Sequence, residues 1–238
     1  MQLIANLGLL LLTLQGARAD VADSSCPPIH IIVARGTGIP PGYDLILPLV
    51  QTLLLEHPGA TSEPLQYPAC GGGAGCGGIS YFDSVRAGTA AVAKTVNDFN
   101  ARCPQTKLVL MGYSQGGHII DNALCGGPDE NARITSSTPA INPTAANMIK
   151  AVTFMGSPRF HAGFPYGQGT CREYGFDARP ANFQCPNHYG DKIQSYCDQG
   201  DRYCCSEAGQ PGWLDWVHGS YVLTYGAAAV EFINQQLA

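Results

Sequence analysis

The chain has 238 residues, 45% of them hydrophobic and 13% charged, with a formal charge of −5. That length suits one domain with a full core. The mild acidity, without any basic cluster, argues against nucleic acid or an anionic membrane surface as partner.

The first residues read MQLIANLGLLLLTLQGARAD. An apolar run from Leu3 to Leu14 precedes Ala17-Arg18-Ala19, the small-x-small form of a signal-peptidase site, although no Lys or Arg lies before the run. The run is shorter than the roughly 20 residues a spanning helix needs. Residues 1–19 are therefore expected to be a signal peptide, and 20–238 a single secreted domain of about 219 residues. No second long apolar stretch follows, so no stable membrane insertion is expected. Asn142-Pro143-Thr144 is disqualified as a glycosylation sequon by its proline.

Five β-branched or apolar runs come next: His30 to Ala34, Pro64 to Tyr67, Lys107 to Gly112, Lys150 to Gly156 and Lys192 to Tyr196. Helical patterns separate them. One covers Tyr43 to His57, interrupted by Pro48. A second covers Tyr81 to Arg102, with Phe82, Val85, Val92, Val96 and Phe99 on one face and Ser80 as its cap. A third follows Ser114, and the last covers Ser220 to Leu237. Strands alternating with helices predict an α/β fold, a mainly parallel sheet covered on both faces. Its chemistry belongs at the carboxyl ends of the strands. The residues to watch are Arg35-Gly36-Thr37, Tyr113-Ser114-Gln115, Ser157-Pro158 and the loop after Tyr196.

Gly112-Tyr113-Ser114-Gln115-Gly116 has the form G-x-S-x-G. It is flanked by an apolar strand and an apolar-periodic helix start, the context a nucleophile elbow requires. A serine hydroxyl needs a histidine base held by a carboxylate. Of six histidines, His30 lies in a strand, His57 ends a helix, and His161 and His188 fall in loops. His118 is one helical turn beyond Ser114 and points along the same helix, which leaves it second choice. His218, after the last strand and before the last helix, gives the order Ser, Asp, His used on such sheets. For the acid, Asp198, Asp201 and Asp215 all qualify by position.

Ten cysteines behind an export signal read as up to five disulfides. A zinc site is disfavoured, because no CxxC pair and no histidine at ligand spacing from a cysteine pair occurs. No metal is expected.

The segments VARGTGIPPGY, YPACGGGAGCGGISYFDSV, CPQTKLVLMGYSQGG, CGGPDE, FMGSPRF, GTCREYGFDARP and KIQSYCDQGDRYCC together resemble the cutinase and acetylxylan esterase family of fungal serine esterases (carbohydrate esterase family five). YPACGG and SYCD with DRYCC are similar to the acetylxylan esterase branch, whereas the ARGTG turn is closer to cutinases. The resemblance implies a small α/β-hydrolase with a five-stranded parallel sheet, no lid domain and no cofactor. It implies Ser114 as nucleophile, His218 as base and, from C-x-x-x-D-x-x-C, Asp201 as acid. The oxyanion hole it implies is the backbone N–H of Gln115 with Thr37. It also favours Cys26–Cys103, Cys70–Cys76 and Cys197–Cys204, with Cys125–Cys185 and Cys171–Cys205 as the remainder. The Cys197–Cys204 bridge is then a clamp on the loop that carries Asp201.

The substrate expected from the resemblance is an acetylated xylan, with Tyr203, Trp213 and Trp216 as candidate contacts. The alternative is cutin or another longer aliphatic ester, for which Trp213-Leu214-Asp215-Trp216-Val217 would form an apolar rim. A remote alternative is a non-catalytic secreted binding protein. The partner is thus a polysaccharide or polyester, met by a monomer.

Overall fold

The computed structural model describes residues 26–206 and 215–238; the leader, Trp213 and Leu214 lie outside them. Six parallel strands form one sheet in the order β2-β1-β3-β4-β6-β5. The centre is β1 (Ile29–Ala34), β3 (Lys107–Tyr113) and β4 (Ile149–Met155). Flanking them are β2 (Thr61–Pro64) and β6 (Ile193–Tyr196), with β5 (Gly167–Gln168) at one edge.

The sequence led to five strands, and the structure adds β5. Two residues carry no periodicity, and β5 exists only because Gly167 and Gln168 pair with Ser195 and Tyr196. The second strand also sits earlier than expected, at Thr61–Pro64 rather than Pro64 to Tyr67. Its residues are polar and partly exposed because β2 is the other edge, where little apolar burial is required.

Successive side chains of a strand face opposite sides, and the core divides accordingly. Ile32, Leu108, Leu110 and Val152 pack beneath α2 (Tyr81–Arg102) and α3 (Gln115–Cys125), against Val85, Val92, Val96 and Ile119. Ile31, Val33, Val109 and Met111 face α1 (Leu47–Glu56) and α6 (Tyr221–Leu237), meeting Leu49, Leu53, Phe232 and Ile233. Pro48 does not interrupt the first helix; it sits in its first turn, where a missing N–H costs nothing, and a short 3-10 turn at Asp44–Ile46 precedes it. Ser80 caps α2 by accepting from the Asp83 N–H at 3.1 Å. Two shorter α-helices among the described residues are α4 (Pro143–Met148) and α5 (Asp215–His218).

After β1 the chain visits β2 on one side and then β3 on the other, so strand order reverses between β1 and β3. Ala34 pairs with Gly112 there, bringing the turns after both strands together. Five disulfides join Cys26 to Cys103, Cys70 to Cys76, Cys125 to Cys185, Cys171 to Cys205 and Cys197 to Cys204.

Candidate active site

Ser114 stands between the end of β3 and the start of α3 with φ 53° and ψ −118°, a backbone strain rarely tolerated away from functional turns. Its surroundings enforce it. A Cβ on Gly116 would lie 1.9 Å from the Ala34 carbonyl oxygen, and one on Gly112 would lie 2.5 Å from the Gly117 nitrogen. Only glycine lets β1, β3 and α3 approach this closely. The Ser114 N–H donates to the Met155 carbonyl at 2.8 Å, anchoring the turn to β4.

His218 ends α5, with its Nδ1 2.7 Å from Oδ2 of Asp201. Gly156, at φ +66°, leaves room for the ring: a Cβ there would meet His218 Nδ1 at 2.8 Å. Tyr113 donates its hydroxyl to the His218 carbonyl, so the residue before Ser114 fixes the backbone of the histidine. An ionised carboxylate only accepts, so Nδ1 carries the proton and Nε2 is left as the basic nitrogen.

Asp201 is completely buried, at 0% exposure. Oδ2 accepts from His218 and from the Tyr221 hydroxyl, each at 2.7 Å, and Oδ1 accepts from the backbone N–H of Tyr203 at 2.8 Å and of Cys204 at 3.2 Å. Burial alone would raise its pKa. The hydrogen bond and charge of His218, with the bonds from Tyr221 and Tyr203, outweigh that and hold it below the usual carboxylate range. Burial and the Asp201 charge push the Tyr221 hydroxyl well above the ordinary tyrosine value, so it remains a donor.

Ser114, His218, Thr37 and Tyr203 line one cavity of about 510 Å³, together with Asp44 and Tyr81. A larger groove of about 1010 Å³ runs between α1 and α6 and includes none of them. Of the aromatic candidates, Tyr203 lies against the histidine with ring centroids 4.5 Å apart. Trp216 is 67% exposed, two residues before His218 and outside the cavity lining, and Trp213 lies outside the described residues. Gln115 is buried, with its N–H at the start of α3.

Two other candidates, Asp198 and His118, are engaged elsewhere. Asp198 Oδ1 accepts from the Thr170 N–H and hydroxyl and from Tyr225. His118 is fully buried, with Nε2 2.7 Å from Asp129 Oδ2 and 3.2 Å from Asp177 Oδ2. These three bring donor atoms within 4.8 Å of one another. All four carboxylate oxygens are nonetheless supplied by protein: His118 and Asn122 on one, Ala132 N–H on the second, His118 and Arg159 on the third, Asn131 on the fourth. Sequence reasoning missed Tyr221 and Asp44, and it flagged Tyr113 by position without giving it a role. Neither missed residue carried a local signal: Tyr221 opens α6 after His218 has closed α5, and Asp44 acts by accepting the Gly36 N–H at 2.7 Å on its Oδ2.

A hydrolase of the α/β type is the class that this sheet and this cluster define. Within it the chain belongs to the cutinase family, whose model matches residues 25–237. It is 46% identical to acetylxylan esterase 2 of Talaromyces purpureogenus over 234 residues, covering 98% of this chain and 96% of that protein. It is 50% identical to cutinase 11 of Verticillium dahliae over 217 residues, 91% of this chain and 71% of that one. The catalytic core domain of acetyl xylan esterase from Trichoderma reesei superposes with a TM-score of 0.84 at 49% identity, covering 89% of this chain and 99% of that domain. The chain is thus a carboxylic ester hydrolase. Among the described residues no helix is long and apolar enough to cross a membrane.

Proposed function

We propose that this is a secreted, monomeric serine esterase that removes acetyl groups from xylan through Ser114, His218 and Asp201. The observation that carries the reading is the 2.7 Å pair of His218 and buried Asp201 beside a strained Ser114, the serine and histidine facing one cavity. Ser114 attacks the ester carbonyl while His218 Nε2 takes its proton. Asp201 keeps Nδ1 protonated and stabilises the imidazolium. The Gln115 N–H and Thr37 receive the developing oxyanion. The alcohol leaves with the proton from His218, and water then hydrolyses the acyl-enzyme by the same route. The resemblance to two acetylxylan esterases supports xylan acetyl groups as substrate, and the ring of Tyr203, which lines the cavity, is the proposed contact to the sugar.

A longer-chain ester is the second reading. Ile39, Leu45 and Phe176 line the cavity while remaining 40%, 45% and 44% exposed, an apolar rim that an acetyl group alone would not use.

The Ser114→Ala enzyme is expected to lose several orders of magnitude in kcat, and a fluorophosphonate to label the wild type at Ser114 alone. Near wild-type turnover by that variant would refute the site. A series of p-nitrophenyl esters alongside acetate release from acetylated xylan separates the substrates. A steep fall beyond acetate supports the first reading, and an optimum at butyrate or longer the second.

A further inference from the structure

The side chain of Gln115 turns away from the cavity and is completely buried. Its Oε1 accepts from the Ser84 hydroxyl at 2.8 Å, and its Nε2 donates to the Cys70 carbonyl at 3.0 Å. Ser84 Oγ in turn accepts from the Cys70 N–H at 2.9 Å. The three bonds close a ring, in which Ser84 from α2 and Gln115 from α3 grip both backbone groups of a single residue. Each member is buried, so every bond is held in a low dielectric with no water to replace it.

What Cys70 holds is the surface beside Thr37. A Cβ on the next residue, Gly71, would lie 2.8 Å from Thr37 Cγ2, and Gly71 and Thr37 both line the Ser114 cavity. On the other side of Cys70, the carbonyl of Ala69 accepts the Gly38 N–H at 2.7 Å, tying the turn after Thr37 to the same loop. Thr37 and Gly38 are themselves exposed; Asp44 holds the Gly36 N–H and Arg35 the Ile39 carbonyl on either side of them, and Ala69, Cys70 and Gly71 back the turn at Thr37 and Gly38. The link runs from the Gln115 carboxamide through Cys70 to Thr37, whereas the Gln115 N–H stands directly after the nucleophile.

We propose that the Gln115 carboxamide and the Ser84 hydroxyl are positioning residues that fix Thr37 at its working distance from the Gln115 N–H. The inference rests on the reading of those two groups as oxyanion donors. Preorganised donors help only while their spacing is held through the reaction. Loosening the ring therefore acts on the transition state rather than on substrate binding.

The test compares Gln115→Met, which keeps the backbone N–H, with Ser84→Ala and the double variant, using p-nitrophenyl acetate. Each single change is expected to lower kcat roughly tenfold, with KM within about twofold and the pH profile unmoved. The double variant should lose no more than the worse single one, because either change opens the same ring. Val92→Ala in the α2 core is the control, expected to lower the melting temperature and leave kcat alone. Gly71→Ala covers the case in which a buried variant fails to fold. It lies on an exposed loop, displaces Thr37 directly and should reduce kcat while Ser114 still labels fully with a fluorophosphonate. Wild-type kcat in Gln115→Met and Ser84→Ala, additive losses, or an unaffected Gly71→Ala enzyme would each overturn the proposal. Survival of activity in Ser114→Ala would instead overturn the reading of the site on which it rests.

Discussion

At Asp201 four hydrogen bonds converge on one carboxylate, and two of them share Oδ2. Tyr221 therefore competes with His218 for the same negative charge, while its own oxygen accepts the Asp198 N–H at 3.0 Å. Removing that hydroxyl with Tyr221→Phe leaves a carboxylate that stabilises the imidazolium more strongly. The acid limb of kcat/KM is expected to move up, with the plateau lowered less than about tenfold. Rates from pH 4 to 9 check this, and an acid limb that stays put or moves down contradicts it. At this scale the sequence separated candidates unevenly. His218 stood out by chain order, but Asp198, Asp201 and Asp215 were equivalent by position, and only the C-x-x-x-D-x-x-C of the family resemblance singled out Asp201. Its donors come from Tyr203, Cys204, His218 and Tyr221, and no local pattern announces which carboxylate they will face.

The elbow is the element whose geometry is least negotiable. A Cβ on Gly116 would strike the carbonyl of β1 at 1.9 Å, and backbone cannot swing aside as a side chain can. Gly116→Ala is expected to cost more than about 3 kcal/mol or to prevent folding. Gly73→Ala, with open space around the added atom, should be nearly neutral. Thermal melts of both variants decide the point; equal behaviour would mean that the close approach is not what selects glycine. Elements of this kind were legible because apolar periodicity and glycine spacing are local. The central strands and α2 lie where pattern and cap place them. The edges were not legible: β2 buries little and β5 is two residues long, so pairing rather than hydrophobic pattern makes them strands.

Across the molecule, a buried ionic layer sits beneath the α3 face, where His118, Asp129, Asp177, Asp121, Arg159 and Arg179 neutralise one another. Burial alone would raise both Asp129 and Asp177, but the His118 hydrogen bond and charge pull them below the ordinary range. Burial also lowers His30. All these folded values, with Asp201, are depressed relative to the unfolded chain. Their contribution is present at neutral pH and lost as pH falls, for the carboxylates below about pH 4. The melting temperature is expected to drop by several degrees between pH 6 and pH 3. Asp129→Asn should start lower at pH 6 and show a shallower drop. Parallel curves for the two proteins would show that the layer does not carry the acid sensitivity.

The acid and the base are each secured by bonds that bypass the stretch between them. On one side Cys205 is bridged to Cys171 and the Ser206 N–H reaches the Tyr174 carbonyl at 2.9 Å. On the other, Val217 is buried and the His218 backbone is held by Tyr113. The acid and the base are therefore held from two separate parts of the chain, the Cys171 loop on one side and β3 on the other. A proton relay anchored in this way keeps its alignment as long as both moorings hold, so cutting either one is what would set the histidine and its carboxylate adrift.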